Sequence, residues 1–325
     1  MVRAGIIGAS GYTGGELVRL LLNHPSVEIG CVFSSTHSKE KLSNIHKDLT
    51  GETDLIFSDT IKTEEMDIIF LCLPHGSSRD FLGSINIHPE LKIIDLSNDF
   101  RLSEKKTFKE ITFSYGLPEA FRNEIKNSKY VSNPGCFATA VQLALLPLAS
   151  KHKLKSPIHI NATTGSTGAG SELKATSAFT WRYSNFTSYN EFKHFHLAEI
   201  SETINKMQGE CPEINFIPNR GNFTRGIFCS CYMDIGSAEI DFVKLYRDYY
   251  EKEPFTFVVD FEPDIKNVVN ANKCFINVKI VEGKLLITLV IDNLLKGASG
   301  QAVQNMNIIF GFDEMSGLKL KASVY

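Results

Sequence analysis

Cys136 follows Asn133-Pro134-Gly135, a turn signal, and precedes an apolar run from Phe137 to Leu148 whose pattern predicts a helix. A thiol at a helix N-terminus meets unpaired amides and the positive end of the macrodipole, both of which favour the reactive thiolate. The same position suits a small hydrophobe packed into a core, the usual fate of a buried cysteine. Residue type alone therefore leaves the nucleophile and packing roles both open. Covalent chemistry also needs a proton acceptor, and imidazole is the side chain matched to neutral pH. Of nine histidines, His24, His46, His88, His152 and His159 read as isolated surface or turn residues. His194 and His196 differ, standing together in Lys193-His194-Phe195-His196-Leu197-Ala198-Glu199. If a helix begins there, Glu199 lies on the face of His196 and can orient its ring. The two histidines could also ligate a metal, but no third ligand stands nearby and no metal is expected.

A second chemical signal lies at the start of the chain. Gly8-Ala9-Ser10-Gly11-Tyr12-Thr13-Gly14 follows a strand-like run and opens a helix-like one. Glycines so placed let the backbone turn sharply and let a pyrophosphate approach the helix N-terminus, which makes the loop a candidate dinucleotide cradle through Gly8, Ser10, Gly11, Tyr12, Thr13 and Gly14. The end of the next strand should select the cofactor, because a carboxylate there holds the ribose hydroxyls of NAD and repels a 2'-phosphate. The chain instead reads Phe33-Ser34-Ser35-Thr36-His37-Ser38-Lys39, with no carboxylate before Glu40. Hydroxyls at Ser34 and Ser35 and a nearby lysine suit a phosphate, so NADP(H) is expected.

The elements that would position these groups change character along the chain. Up to Asn133, buried-length apolar runs (Val2 to Gly8, Val27 to Phe33, Asp67 to Leu73, Leu91 to Leu96) are separated by helix-like segments such as Gly14 to Asn23. That alternation predicts a Rossmann-type α/β unit, a doubly wound parallel sheet covered on both faces. After Cys136, strand-like runs follow with few helices between them: Ile158 to Ala162, Phe223 to Ile235, Phe255 to Val259, and Phe275 to Val281 joined to Lys284 to Asn293 across Glu282-Gly283. An α+β unit with a mixed or antiparallel sheet is expected. The helix-like stretch Gly300 to Gly311 could return to the first unit. The expected division is 1–134 with 297–325 for the dinucleotide unit and 135–296 for the catalytic unit, which would also carry oligomerisation.

Composition narrows the partners. The chain has 325 residues, 43% hydrophobic and 22% charged, with 34 basic and 37 acidic residues for a net charge of -3. Such a balance provides no field for nucleic acid, so a small-molecule partner is favoured. No apolar run approaches the roughly 20 residues that span a bilayer, and the start lacks a signal-peptide pattern; a cytoplasmic protein is expected. Seven cysteines without a Cys-x-x-Cys pair suggest neither a disulfide framework nor a zinc site. Cys229 and Cys231, two apart, read as neighbours on one face of a strand.

Taken together and in order, several stretches resemble one family over essentially the whole chain. They are Gly8 to Gly14, Leu73-Pro74-His75-Gly76, Asp95 to Leu102, Tyr115-Gly116-Leu117-Pro118-Glu119, Asn133-Pro134-Gly135-Cys136, Thr167 to Gly170, His194-Phe195-His196 with Glu199-Ile200, and Ile291 to Ala302. The sequence resembles the N-acetyl-gamma-glutamyl-phosphate reductases, relatives of the aspartate-semialdehyde dehydrogenases. The resemblance implies an NADPH-dependent step of arginine and ornithine biosynthesis, with Cys136 as nucleophile and His196, in preference to His194, as acid/base. It further implies Pro74, Ser166, Gly168, Asn293 and Gln301 beside the cofactor, Arg101, Asn133, His194, Arg225 and Lys296 beside the substrate, and a homo-oligomer, dimer or tetramer. The loop from Ser166 to Gly170 could offer backbone amides to a developing oxyanion. Two departures concern the substrate: Phe195 and Ala198 replace the usual arginine and proline around His196, and Asn219 replaces a usual histidine after Pro218. They leave the acyl group open between N-acetyl and N-succinyl. The same chemistry on aspartyl phosphate, or an NADP-binding sensor without catalysis, are the remaining alternatives.

Overall fold

The computed structural model describes residues 1–172, 175–235 and 240–324, and the side chain of Ser177 is left undescribed. The chain divides into two compact units, one comprising Met1–Gly135 with Ala298–Lys319 and the other Cys136–Gly297 with the tail from Leu320.

The first unit begins with β1 (Val2–Ile7), α1 (Tyr12–Leu22), β2 (Val27–Phe33), α2 (Leu42–Ile45), β3 (Ile68–Leu71), α3 (Ser78–Ser84) and β4 (Lys92–Asp95). A small hairpin, β5 (Thr107–Phe108) with β6 (Ile111–Thr112), then leads to β7 (Ser114–Tyr115), α4 (Pro118–Lys126) and β8 (Tyr130–Ser132). The six strands of the main sheet run in the order β2-β1-β3-β4-β8-β7, and every neighbouring pair is parallel. The central strand β3 is apolar and buried throughout, and Ile93 and Ile94 of β4 are buried beside it, as a sheet covered on both faces requires. Chain order reverses beside β1, whose neighbours are β2 and β3. A crevice for a ligand opens at such a switch point, outside the carboxyl ends of the strands.

The second unit opens with α5 (Cys136–Ala149), apolar on all sides and buried from Phe137 onward. There follow β9 (Ile158–Thr164), α6 (Phe179–Arg182), β10 (Thr187–Ser188), α7 (His196–Gln208), β11 (Ile214–Arg220), β12 (Ile227–Asp234), α8 (Phe242–Tyr250), β13 (Thr256–Val258), β14 (Cys274–Val281) and β15 (Lys284–Ile291). The sheet is mixed, ordered β10-β11-β9-β12-β15-β14-β13, with β11/β9 and β13/β14 parallel and the other pairs antiparallel. One face, carrying Cys229, Cys231, Ile287, Leu289 and Ile276, is buried, and α5 packs on β12 and β15. Tyr246 and Tyr250 of α8 tie that helix to α5 by donating their hydroxyls to the carbonyls of Ala144 and Leu143, both at 2.5 Å. The opposite face presents Phe228 and Tyr232 to solvent. The last helix, α9 (Gly300–Phe310), belongs to the first unit, where it packs on α1 and α4.

Several sequence expectations are corrected here. The tail from Leu320 was expected with the first unit but joins the second, where the Ser323 amide donates to the Val269 carbonyl and Asn270 Nδ2 to Ser323 Oγ; Tyr325 lies outside the described residues. The strand β11 and the helix α8 had no clear sequence signal, because polar residues interrupt the apolar pattern of both. His24 and His46 are buried rather than on the surface. His24 Nε2 bonds Asn307 Oδ1 at 3.0 Å, and His46 Nε2 bonds the Ala9 carbonyl at 2.8 Å, so each imidazole braces the base of the glycine loop or the last helix.

Candidate active site

In the first unit the glycines of the loop after β1 have separate reasons. Gly8 has φ +80°, and a Cβ there would stand 2.5 Å from the Cys72 carbonyl oxygen at the end of β3. A Cβ on Gly14 would stand 2.5 Å from the Gly8 oxygen. These two positions let the loop fold tightly over the switch point. Gly11 is different, since its Cβ would meet nothing closer than 3.6 Å. It is the N-cap of α1, no side chain caps that helix, and no acidic residue lies in its first turn. An anion can approach those amides without displacing a protein group. Gly8→Ala is therefore expected to destabilise the unit by about 3 kcal/mol, the upper range for a non-glycine residue forced to such a φ, and to weaken dinucleotide binding. A thermal melt and a coenzyme titration would check both, and a melt within a degree of the parent would remove the packing argument.

The hydroxyls past β2 form a chain. Ser10 Oγ lies 3.3 Å from Ser34 Oγ, which lies 3.2 Å from Thr36 Oγ1. Glu40, the first carboxylate downstream, is held by His37 Nδ1 at 3.2 Å. The donor set fits a ribose phosphate; the chain itself has no carboxylate from Ser34 to Lys39, and Asp59 reaches only the far end of the loop, taking Ser38 Oγ at 2.9 Å. Elsewhere in the unit, Asn133 is a framework residue: its amide donates to the Asp95 carbonyl at 2.7 Å, its Nδ2 to the Ala298 carbonyl at 3.0 Å, and its Oδ1 accepts from Asn305. Arg101 is buried and donates to the Leu96 carbonyl. Pro74 follows β3, and its carbonyl accepts from Ser77 N. Gln301 is buried within α9. Burial pushes the Cys72 thiol up to about 12, away from the thiolate.

In the second unit Cys136 is the first residue of α5, partly exposed while the rest of the helix is buried. The backbone of Gly297 approaches it so closely that a Cβ there would lie 2.9 Å from Cys136 Cβ. That approach is built from Asp292, which is fully buried and bonds Arg225 Nε at 3.0 Å. It also accepts from the amides of Asn270, Leu294 and Leu295, and its own carbonyl takes the Gly297 amide at 2.9 Å. Asn293 extends the bracket, with Oδ1 accepting from Gly226 N at 2.7 Å and Nδ2 donating to Thr167 Oγ1. The guanidinium of Arg225 thus faces a carboxylate, which balances its charge. Lys296 is fully buried in the same loop.

Phe137, directly after the thiol, meets both imidazoles edge-on, with ring centroids 5.5 Å from His194 and 6.3 Å from His196. The two imidazoles lie 4.6 Å apart. His196 is the first residue of α7 and Glu199 stands one turn on, both buried, with Nε2 and Oε1 3.9 Å apart. The carboxylate can orient that ring and stabilise an imidazolium once one forms. His194 is set up oppositely. Its Nδ1 accepts from the His196 amide at 3.2 Å, which leaves the proton of the neutral ring on Nε2, and burial pushes its pKa down to about 4. His194 is a neutral donor near pH 7, whereas His196 has the environment of a base.

The loop after β9 corrects an expectation. The amides of Ser166 and Thr167 donate to the carbonyls of Phe223 and Thr224, and those of Gly168 and Gly170 to carbonyls within the loop. None of these four amides is left for an oxyanion. Gly165 is required by the same packing, since its Cβ would sit 2.4 Å from the Thr224 oxygen. Asn219, buried, donates to Asn161 Oδ1 at 3.0 Å. Phe195 stacks on His194 with centroids 4.7 Å apart. Sequence reasoning missed Tyr189, which meets His194 edge-on at 5.8 Å; burial, then the charge of Cys136, pushes its phenol up to about 12, and Arg220 pulls it partly back. Tyr189 follows the two-residue strand β10, which has no apolar pattern to signal it.

Residues 3–128 match the family model for the semialdehyde dehydrogenase NAD binding domain, and residues 136–293 that for the semialdehyde dehydrogenase dimerisation domain. The N-acetyl-gamma-glutamyl-phosphate reductase of Azobacteroides pseudotrichonymphae is 53% identical over 325 residues, covering 100% of each chain. The chain belongs to the N-acetyl-gamma-glutamyl-phosphate reductase family. A second reductase of that name, from Christiangramia forsetii, is 49% identical over 326 residues, again covering 100% of each chain. Among solved structures, aspartate semialdehyde dehydrogenase II of Vibrio cholerae superposes with a TM-score of 0.74 at 14% identity, covering 96% of this chain and 98% of that one. The fold is thus that of the semialdehyde dehydrogenases, and the Rossmann-type parallel sheet and mixed second sheet expected from the sequence are both present. Among the described residues no group of histidine, cysteine or carboxylate side chains could hold a metal.

Proposed function

We propose that the protein reduces N-acetyl-gamma-glutamyl phosphate to N-acetylglutamate semialdehyde, releasing inorganic phosphate, as an NADP-dependent step toward arginine. The observation that carries this reading is Cys136 at the mouth of α5 with a carboxylate-backed imidazole in the same ring cluster, in a chain matching named reductases end to end. Cys136 Sγ attacks the acyl carbon, the bond from carbon to the phosphate oxygen breaks, and phosphate departs with the electron pair, leaving a thioester. His196 returns a proton to the oxygen of the thiohemiacetal on Cys136 in the reductive direction and removes it in the oxidative one. His194 Nε2–H is a hydrogen-bond donor for the substrate. Gly8, Ser10, Gly11, Tyr12, Thr13, Gly14, Ser34 and Ser35 would hold NADPH, which would supply the hydride. In the same unit Pro74 and Gln301 would border it, and in the second unit Lys296 would frame the substrate beside His194.

The test is the reverse reaction, followed as NADP reduction with N-acetylglutamate semialdehyde and phosphate. Absorbance should rise only with all three components, and faster with NADP than with NAD. Equal or better rates with aspartate semialdehyde would reassign the substrate. The dimerisation-domain match and the open sheet face bearing Phe228 and Tyr232 support assembly with a second copy of this chain. Light scattering at the mass of one chain would overturn that. A place in the cytoplasm accords with such a biosynthetic role, and among the described residues no helix is long and apolar enough to cross a membrane.

A further inference from the structure

Two arginines of the second unit have no place in the scheme above. Arg182 ends α6 and is only 7% exposed; Arg220 ends β11. The segment between them is fixed to the sheet, because Thr187 of β10 pairs with Arg220 and Arg182 Nη2 donates to the Asn185 carbonyl at 3.2 Å. Among the described residues neither guanidinium makes an ion pair with a carboxylate, and the Nε of each is buried without a hydrogen-bond partner. Burial, and then the charge of Arg220, hold Arg182 below the usual guanidinium range. A buried guanidinium with a second like charge near it is unfavourable until an anion joins them. Arg220 also borders the ring cluster of the site: its guanidinium lies 4.9 Å from the Tyr189 ring centroid, and Tyr189 meets His194 edge-on at 5.8 Å.

We propose that Arg182 and Arg220 form a subsite for a carboxylate of the substrate, set apart from the thiol by the ring of Tyr189. Guanidinium groups hold carboxylates with paired, planar hydrogen bonds, and the unused Nε donors supply that geometry. The carboxylate could be the α-carboxylate of the glutamyl unit or the terminal carboxylate of a dicarboxylic N-acyl group such as succinyl. This inference rests on the reductase reading, and its test separates the two.

Arg220→Met and Arg182→Met would be assayed with N-acetyl- and N-succinyl-glutamate semialdehyde, and titrated calorimetrically with N-acetylglutamate and N-succinylglutamate, which bind without turnover. A rise in KM of about 10- to 100-fold, with kcat changing far less, is expected from losing one charged bidentate partner. Equal losses for both compounds place the α-carboxylate in the subsite, and a loss confined to the succinyl compound places the acyl carboxylate there. Arg220→Lys should recover part of the affinity. Unchanged KM and unchanged titrations in both variants would overturn the subsite, as would wild-type protein that binds neither compound. If the wild type turned over neither semialdehyde, the reductase reading would fail while the titrations still decided the subsite. Should Arg182→Met not fold, Arg220→Met at the strand end carries the test.

Discussion

Cys136→Ser should lower phosphate-dependent NADP reduction by at least about a thousandfold, the scale on which losing a covalent nucleophile is felt. The serine is close to isosteric and would occupy the same helix mouth, so the fold should survive. The chemistry would not, because an alkoxide is far harder to form at neutral pH than a thiolate, and the N-terminal end of α5 assists only a charge that can form. Packing offers no alternative account of the residue. The other thirteen residues of α5 are buried while Cys136 is partly exposed, and Gly297 is kept bare to let the backbone pass it. Mass spectrometry of the wild type with substrate and without coenzyme should find one acyl group on Cys136, which the variant lacks. Retention of more than a tenth of the rate by Cys136→Ser would mean that phosphate is displaced without a thioester.

The outline of this site was legible in the sequence wherever one residue type carries a local geometric demand. The glycine loop is of that kind, since Gly8 and Gly14 answer to contacts within a few residues or to the adjacent strand. The spacing of His196 and Glu199 is another, because three residues on a helix put two side chains on one face. Other features depend on partners distant in the chain, and there the sequence is mute. Arg225 reads as a free cation until Asp292, sixty-seven residues on, is found bonded to it. The amides of Ser166 and Thr167 read as available until β12 and the turn before it bring the carbonyls of Phe223 and Thr224 against them. Arg182 ends the four-residue α6, Tyr189 follows the two-residue β10 and Arg220 ends β11, so it takes the pairing of β10 with β11 to bring Tyr189 and Arg220 together. Long-range pairing decides charge balance, and charge balance decides which arginine is left for an anion.

His196→Asn should cut the rate by about 10²- to 10⁴-fold, the usual contribution of a positioned acid/base, and the pH profile tells its role apart from that of His194. In the oxidative direction a base must be unprotonated, so activity should climb with pH as the imidazole loses its proton. His194 cannot produce that climb near neutrality, because burial holds it neutral down to about pH 4 and its Nδ1 is already occupied by the His196 amide. His194→Gln keeps a donor for the substrate and should therefore keep the wild-type limb at a reduced rate. His196→Asn should lose the limb altogether. Glu199→Gln should lie between them, since the imidazole remains while the negative charge 3.9 Å from its Nε2 is gone; without that charge the imidazolium is less stable and the limb should move to lower pH. A limb that persists in His196→Asn and vanishes in His194→Gln would exchange the two roles, and would require His194 to pick up a proton that its surroundings disfavour.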